Sequence, residues 1–161
     1  MSLTTWRLTR AEYAATALSG EGSARYPGRW NPRGIRVVYT SESLSLATLE
    51  VLAHAENLEM LNHYVALRVD FPSTSLTTLE LDALPADWQS EPVPESTRML
   101  GLDWYHRQET LALKVPSVPI PSEHNFIINP NHAAFGAVTV AVPVPLPFDA
   151  RVLRVTAQRP I

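Results

Sequence analysis

The stretch Arg25-Tyr-Pro-Gly-Arg-Trp-Asn-Pro-Arg-Gly-Ile-Arg-Val-Val-Tyr-Thr-Ser-Glu-Ser-Leu-Ser-Leu-Ala-Thr-Leu-Glu-Val-Leu-Ala-His54 decides how this chain is read. It passes from a loop rich in arginine and glycine into an apolar strand at Val37–Tyr39, and then into a helix ending near Ala55. Ser41 or Ser43 is the candidate N-cap. On the helix Leu46, Leu49 and Ala53 mark an apolar stripe, and Glu50 lies beside that stripe instead of opposite it. A boundary position of this kind faces a cleft edge. Arginine presents a planar fork of donors that fits phosphate or carboxylate. Tyr39 offers a ring to stack on, and a carboxylate on a small-apolar helix face can hold a hydroxyl. Together these groups suit a negatively charged, ring-bearing sugar ligand.

Working outward, Thr4 to Leu8 reads as a first strand, with Trp6 and Leu8 alternating against Thr5 and Arg7, so that Arg7 faces away from Trp6. Arg10 to Leu18 reads as a helix stopped by Ser19-Gly20-Glu21-Gly22. His63 to Asp70 alternates as a strand closed by Phe71-Pro72. Ser73 to Glu95 reads as loop, tethered by Leu76, Leu79, Leu81 and Trp88. Ser96 is placed to cap a helix to about Arg107. Leu111–Ser117, Phe126–Ile128 and Arg151–Val155 read as strands, the last preceded by an extended linker with prolines at 143, 145 and 147. Six or so strands with three helices predict an α+β domain built on a mostly antiparallel or mixed sheet.

At 161 residues the size prior gives one domain over 1–161. The apolar fraction of 45% and charged fraction of 18% are those of an ordinary globular domain, which disfavours disorder. No stretch approaches a membrane span, and the N-terminus carries no apolar core ahead of a cleavage site. With no cysteine there is no disulfide, thiol nucleophile or cysteine zinc site. A cytoplasmic protein is the simplest expectation. The net charge of -3 argues against nucleic acid as the main partner. Yet Arg25, Arg29, Arg33 and Arg36 concentrate in one segment, while acids dominate between Glu80 and Glu109. A small anionic ligand fits that asymmetry better than DNA does.

Each candidate has a plain structural alternative. Arg29, in Gly28-Arg-Trp-Asn-Pro32, can clamp phosphate where glycine lets a ligand approach, or can be a solvent-facing loop arginine. Arg7 can be a second phosphate ligand or pair with a surface carboxylate. Tyr39 can offer its ring for stacking or be a core aromatic with its hydroxyl satisfied. Trp30 reads as packing. Ser117, after Val115-Pro116, is a ligand to a neighbouring carboxylate or an ordinary turn serine. Asn125 and Asn129 support the adjoining loop. The five histidines show no metal-ligand spacing, so no metal is expected. Gly-x-Ser-x-Gly, Walker and Rossmann motifs are all absent.

Four runs in order carry a family resemblance: Gly28-Arg29-Trp30-Asn31-Pro32, Val38-Tyr39-Thr40-Ser41, Leu46-Ala47-Thr48-Leu49-Glu50-Val51-Leu52-Ala53-His54, and Leu113-Lys114-Val115-Pro116-Ser117-Val118 with Glu123-His124-Asn125-Phe126-Ile127-Ile128-Asn129-Pro130. The chain resembles the RES-domain toxins of bacterial toxin-antitoxin systems. The resemblance implies a fold similar to ADP-ribosyltransferase toxins, a split β-sandwich core with a few flanking helices. It also implies that NAD+ is consumed as substrate without a metal. Arg29 and Arg7 would meet its phosphates, Asn31 would join the binding loop, Tyr39 would line the nicotinamide pocket, and Glu50 with Ser117 would act at the ribose. Cleavage of the nicotinamide–ribose bond passes through an oxocarbenium-like state that a carboxylate stabilises. The acceptor would be water or phosphate; a protein acceptor, giving an ADP-ribosyltransferase, is the second reading, and a non-catalytic module of the same fold the third. The partner implied is an Xre-type helix-turn-helix antitoxin covering the NAD pocket, with DNA reached only through it. One departure is Ala24-Arg25-Tyr26-Pro27-Gly28, where a further glycine is common in the family; Pro27 stiffens the path to Arg29.

Overall fold

The computed structural model describes residues 1–55 and 57–157. Strand β1, Ser2–Arg10, runs antiparallel to β3, Tyr64–Pro72, over nine register pairs from Ser2↔Pro72 to Arg10↔Tyr64. β2, Val38–Ser41, joins β1 through the pair Trp6↔Ser41 and pairs antiparallel with β6, His124–Ile128, from Val38↔Ile128 to Ser41↔Asn125. β5, Ala112–Pro116, flanks β6 antiparallel, and β4, Leu76–Thr78, lies parallel to β5. The short β7, Thr139–Val140, and β8, Val144–Pro145, both pair with β3. The order β4-β5-β6-β2-β1-β3-β7, with β8 also on β3, makes one mixed sheet. The α+β expectation holds, with β2 and β1 joined at the pair Trp6↔Ser41.

Alternation along the strands sends their two sets of side chains to opposite faces. One face buries Val38, Leu67, Val69, Phe71, Ala112, Phe126 and Ile128 together with Ala17 and Leu111. Each buried Val, Leu, Ile or Phe side chain of this set contributes roughly 1.5–3 kcal/mol. The other face is covered by two helices, α2 (Leu44–His54) and α3 (Glu95–Arg107). Ala47 and Val51 of α2 pack on Leu8, Ala66 and Trp6. Trp104 of α3 joins Trp30, Trp88, Val37, Leu113, Val115 and Ile127. Ser43 caps α2 by accepting a 3.0 Å hydrogen bond from the Leu46 amide.

Several local expectations are corrected. The segment Arg10–Leu18 forms a 3-10 helix, Ala11–Thr16, and not an α-helix. Arg10 supplies no capping side chain there, and the chain must turn within a few residues to bring Ala17 into the core. A five-residue helix, α1 (Glu21–Arg25), opens the segment read as loop. The buried face of α2 is Leu46, Ala47 and Leu52, with Leu49 exposed, so the apolar stripe is rotated from the one expected. Leu81 is half-exposed and joins none of the buried clusters among the described residues. Pro94, not Ser96, holds the N-cap of α3, while Ser96 Oγ donates to Asp87 at 2.7 Å. Arg151–Val155 lies inside a helix, α4 (Ala150–Ala157), not a strand. Asp149 starts that helix: its side chain accepts from the Arg151 amide at 2.8 Å and its carbonyl from the Val152 amide at 3.0 Å. A local cap outweighs the β preference of the valines, which is a weak prior.

Candidate functional site

Glu50 projects from the middle of α2 toward the ends of β5 and β6. Its Oε1 accepts a hydrogen bond from Ser117 Oγ at 2.9 Å and another from Asn125 Nδ2 at 2.6 Å. Ser117 is fully buried just past β5. Its amide donates to Glu123 O at 2.9 Å, and its Oγ accepts from the Ile120 amide at 3.3 Å. Asn125 is in turn oriented by Ser41 Oγ, which donates to Asn125 Oδ1 at 2.6 Å across the β2–β6 pair. The Glu50 carboxylate is thus fixed at one oxygen by two donors, and its side chain keeps 21% exposure. The second oxygen lies 3.9 Å from Nε2 of exposed His54, one helical turn on. A partly exposed carboxylate with a fixed orientation can stabilise a developing positive charge or accept a proton from a bound hydroxyl.

Tyr39 lies two residues before Ser41 on β2, on the same sheet face by alternation. Its hydroxyl donates to Asn31 Oδ1 at 2.6 Å and accepts from the Trp30 amide at 3.1 Å. Burial pushes the phenol well above its ordinary pKa, against the opposing pull of the Trp30 amide and of the Arg98 and Arg29 charges. Gly28 is required here for a reason internal to the protein. A Cβ at that position would stand 2.6 Å from the Tyr39 oxygen. The Gly28 amide also donates to Asn31 Oδ1 at 2.9 Å. Asn31 is fully buried, and its Nδ2 serves the carbonyls of Ser23, Pro32 and Ile35 at 2.9 to 3.2 Å. With its polar atoms engaged and buried, Asn31 shapes the loop that carries Arg29.

Arg29 is only 10% exposed in its side chain, and both its terminal nitrogens are engaged within the protein. Nη1 donates to the carbonyls of Trp88 and Ser90 at 2.8 and 3.0 Å, and Nη2 pairs closely with Glu91. It pins the Trp88–Glu91 loop instead of standing free toward solvent. Gln89 of that loop reaches the Val118 carbonyl at 3.3 Å, so the loop straps the Arg29 segment to the Ser117 segment. Arg7 lies on the sheet face opposite Trp6, as alternation requires. Its Nη1 donates to the Tyr39 carbonyl at 3.0 Å, its Nε is buried without a partner among the described residues, and burial lowers its pKa against an opposing pull from Tyr64. The structure thus brings Glu50, Ser117 and Tyr39 to one face of the β2–β6–β5 ladder, borders them with Arg29, and leaves Arg7 behind the sheet.

Two participants escaped the sequence. Asn125 was read as a loop support and is a direct partner of Glu50; its signal is its place directly opposite Ser41 in the β2–β6 register. Arg98 of α3 donates from Nε to the Gly28 carbonyl at 3.2 Å, and nothing local in the acid-rich 80–109 stretch marks it. Surface hollows of about 370 Å³, at Glu21, Ala24, Arg25 and Arg36, and about 260 Å³, at Arg10, Ala11, Glu12 and His63, contain none of these groups. Among the described residues no group of three or more His, Cys, Asp or Glu side chains is gathered as a metal ion would need. No helix among them is long and apolar enough to cross a membrane.

This mixed sheet, with a helix-borne carboxylate tied to a serine and an asparagine, has the architecture of a bacterial toxin fold. It superposes on a chain of the M. tuberculosis MbcT-MbcA toxin-antitoxin complex with a TM-score of 0.77, covering 98% of this chain and 91% of the other at 21% identity. The RES domain matches residues 4–149, and the chain belongs to that family. Among curated relatives it is similar to a Toxin Res of Photorhabdus laumondii, 41% identical over 78% of this chain and 80% of the relative. A Toxin Res of Yersinia enterocolitica is 32% identical over 91% and 97%. A Prs ADP-ribosylating toxin of a Sphingobium species is 36% identical over 82% and 85%.

Proposed function

We propose that this protein is the toxin of a toxin-antitoxin pair and arrests growth by cleaving NAD+ between nicotinamide and ribose. The observation that carries the reading is the Glu50 carboxylate, held at one oxygen by Ser117 and Asn125 and still partly exposed. In the reaction the C–N bond to nicotinamide breaks and its electron pair leaves with the neutral ring. Positive charge builds at the ribosyl carbon, where a fixed carboxylate lowers the barrier. Water or inorganic phosphate then bonds to that carbon and gives up its proton, yielding ADP-ribose or its phosphate. Tyr39 borders the nicotinamide end, Arg29 and the loop it pins border the phosphates, and NAD+ is the substrate, with no metal required. An Xre-type helix-turn-helix antitoxin covers the site and makes the DNA contacts, and the toxin acts in the cytoplasm.

A second reading keeps the same cleavage and gives the ADP-ribosyl group to a protein. The relative named as an ADP-ribosylating toxin supports it. The test is induction without antitoxin beside a Glu50→Ala control, following cellular NAD+, free nicotinamide and growth, with labelled NAD+ in a purified reaction. NAD+ collapse with nicotinamide release, absent in the control, supports cleavage to a small acceptor. Growth arrest with steady NAD+ and labelled protein bands supports the transferase. Neither change in the intact protein would refute both.

A further inference from the structure

At the corner formed by Gly28, Tyr39 and α3, the polar groups are nearly all engaged. The Tyr39 hydroxyl is taken up by Asn31 and Trp30, and the Arg29 tip by Trp88, Ser90 and Glu91. Arg98 is different. Its Nε bond to the Gly28 carbonyl fixes the plane of its guanidinium, while Nη1 and Nη2 make no hydrogen bond or ion pair with the described residues and are not among the buried unpartnered atoms. The position is rigidly built. Three residues on, Gly101 meets the same loop so closely that a Cβ there would sit 1.7 Å from the Trp30 carbonyl oxygen. Residues three apart share a helix face, so the packing that seats Gly101 on Trp30 also delivers Arg98 to Gly28. The charge of Arg98 acts on the Tyr39 phenol ahead of that of Arg29.

Building on the reading of the protein as an NAD+-cleaving enzyme, we propose that Arg98 is a further substrate-binding residue, whose two terminal nitrogens receive the pyrophosphate of the dinucleotide while Arg29 holds the loop beside it. A guanidinium with one edge anchored and the other open is pre-organised for bidentate contact with phosphate oxygens, which lowers the ordering cost of binding.

The test uses the full chain, with Arg98→Gln, Arg98→Lys and Arg98→Ala beside the wild type. Isothermal titration is run with inorganic pyrophosphate and NAD+, and steady-state kinetics with NAD+ and with nicotinamide riboside, which has the scissile bond and no phosphate. Removing one charged contact weakens binding by about tenfold to a hundredfold. Arg98→Gln and Arg98→Ala are expected to lose that much affinity for pyrophosphate and NAD+, with the kinetic loss in KM. Arg98→Lys, which keeps the charge, should recover part of it, and turnover of nicotinamide riboside should stay close to wild type. Unchanged pyrophosphate and NAD+ affinity in Arg98→Gln overturns the proposal. So does an equal loss toward nicotinamide riboside, which marks a structural effect, or a wild type that binds neither anion. A wild type that binds pyrophosphate through Arg98 yet cleaves no NAD+ supports the anion site and refutes the NAD+-cleaving function instead.

Discussion

At the scale of single residues, Tyr39 and Glu50 show how one side chain is fixed by what surrounds it. Tyr39→Phe removes the acceptor for the Trp30 amide and one donor to Asn31, an uncompensated loss expected to cost about 1–3 kcal/mol. Urea denaturation reads this as a lower midpoint with an unchanged slope. The same residue sets an alkaline limit. Its pKa is raised on folding, so its contribution is intact below the unfolded tyrosine value, about pH 10, and declines as pH rises past it. Stability measured between neutral and strongly alkaline pH should fall less steeply in Tyr39→Phe than in wild type. For Glu50, Ser117→Ala and Asn125→Ala each leave one donor on Oε1. Each is expected to lower kcat by about tenfold or more, and the double variant less than the product of the two, because they orient the same atom. Independent, multiplying losses would show that the two do not act through Glu50. Glu50, Ser117 and Tyr39 could be picked out as candidates in the sequence because each sits in a compact local motif, and the fold gathers them on one sheet face. Arg98 was not, because its place beside Gly28 depends on where α3 lands, and the burial of Asn31 was not, because burial is not a local property.

At the scale of elements, α3 is the part that brings separate motifs together. It packs through Gly101 on the Trp30 carbonyl and through Trp104 on the core under the Arg29 loop. Gly101→Ala has no room for its methyl group, so helix and loop must part. The expected cost is about 3 kcal/mol or more, measured as a loss of thermal stability, and near-wild-type melting would contradict so tight a contact. Strands of the central ladder were foreseen within a residue or two, since their apolar alternation is strong and their partners long. The weaker elements were not. β4, β7 and β8 have two or three residues each and exist only because a neighbouring strand edge is there to pair with, a condition that local pattern does not contain.

At the scale of the whole molecule, three buried clusters among the described residues hold both sheet faces, and none of the α4 side chains described, those of residues 150–154, belongs to them. A chain ending at Asp149 should therefore keep the fold, with its melting temperature lowered by no more than about 4 °C; cooperative unfolding lost altogether would assign α4 a larger part. By itself the sequence determined the α+β class, the order of the main strands along the chain and the motif residues of the RES family, because periodicity, caps and short motifs are written in neighbouring residues. The tertiary structure alone decided that Asn125 meets Glu50 from 75 residues away, that Arg29 closes on the Trp88–Glu91 loop while Arg98 stays open, and that Arg7 stands behind the sheet. Those outcomes follow from strand register and helix docking, in which a shift of one residue turns a side chain to the opposite face.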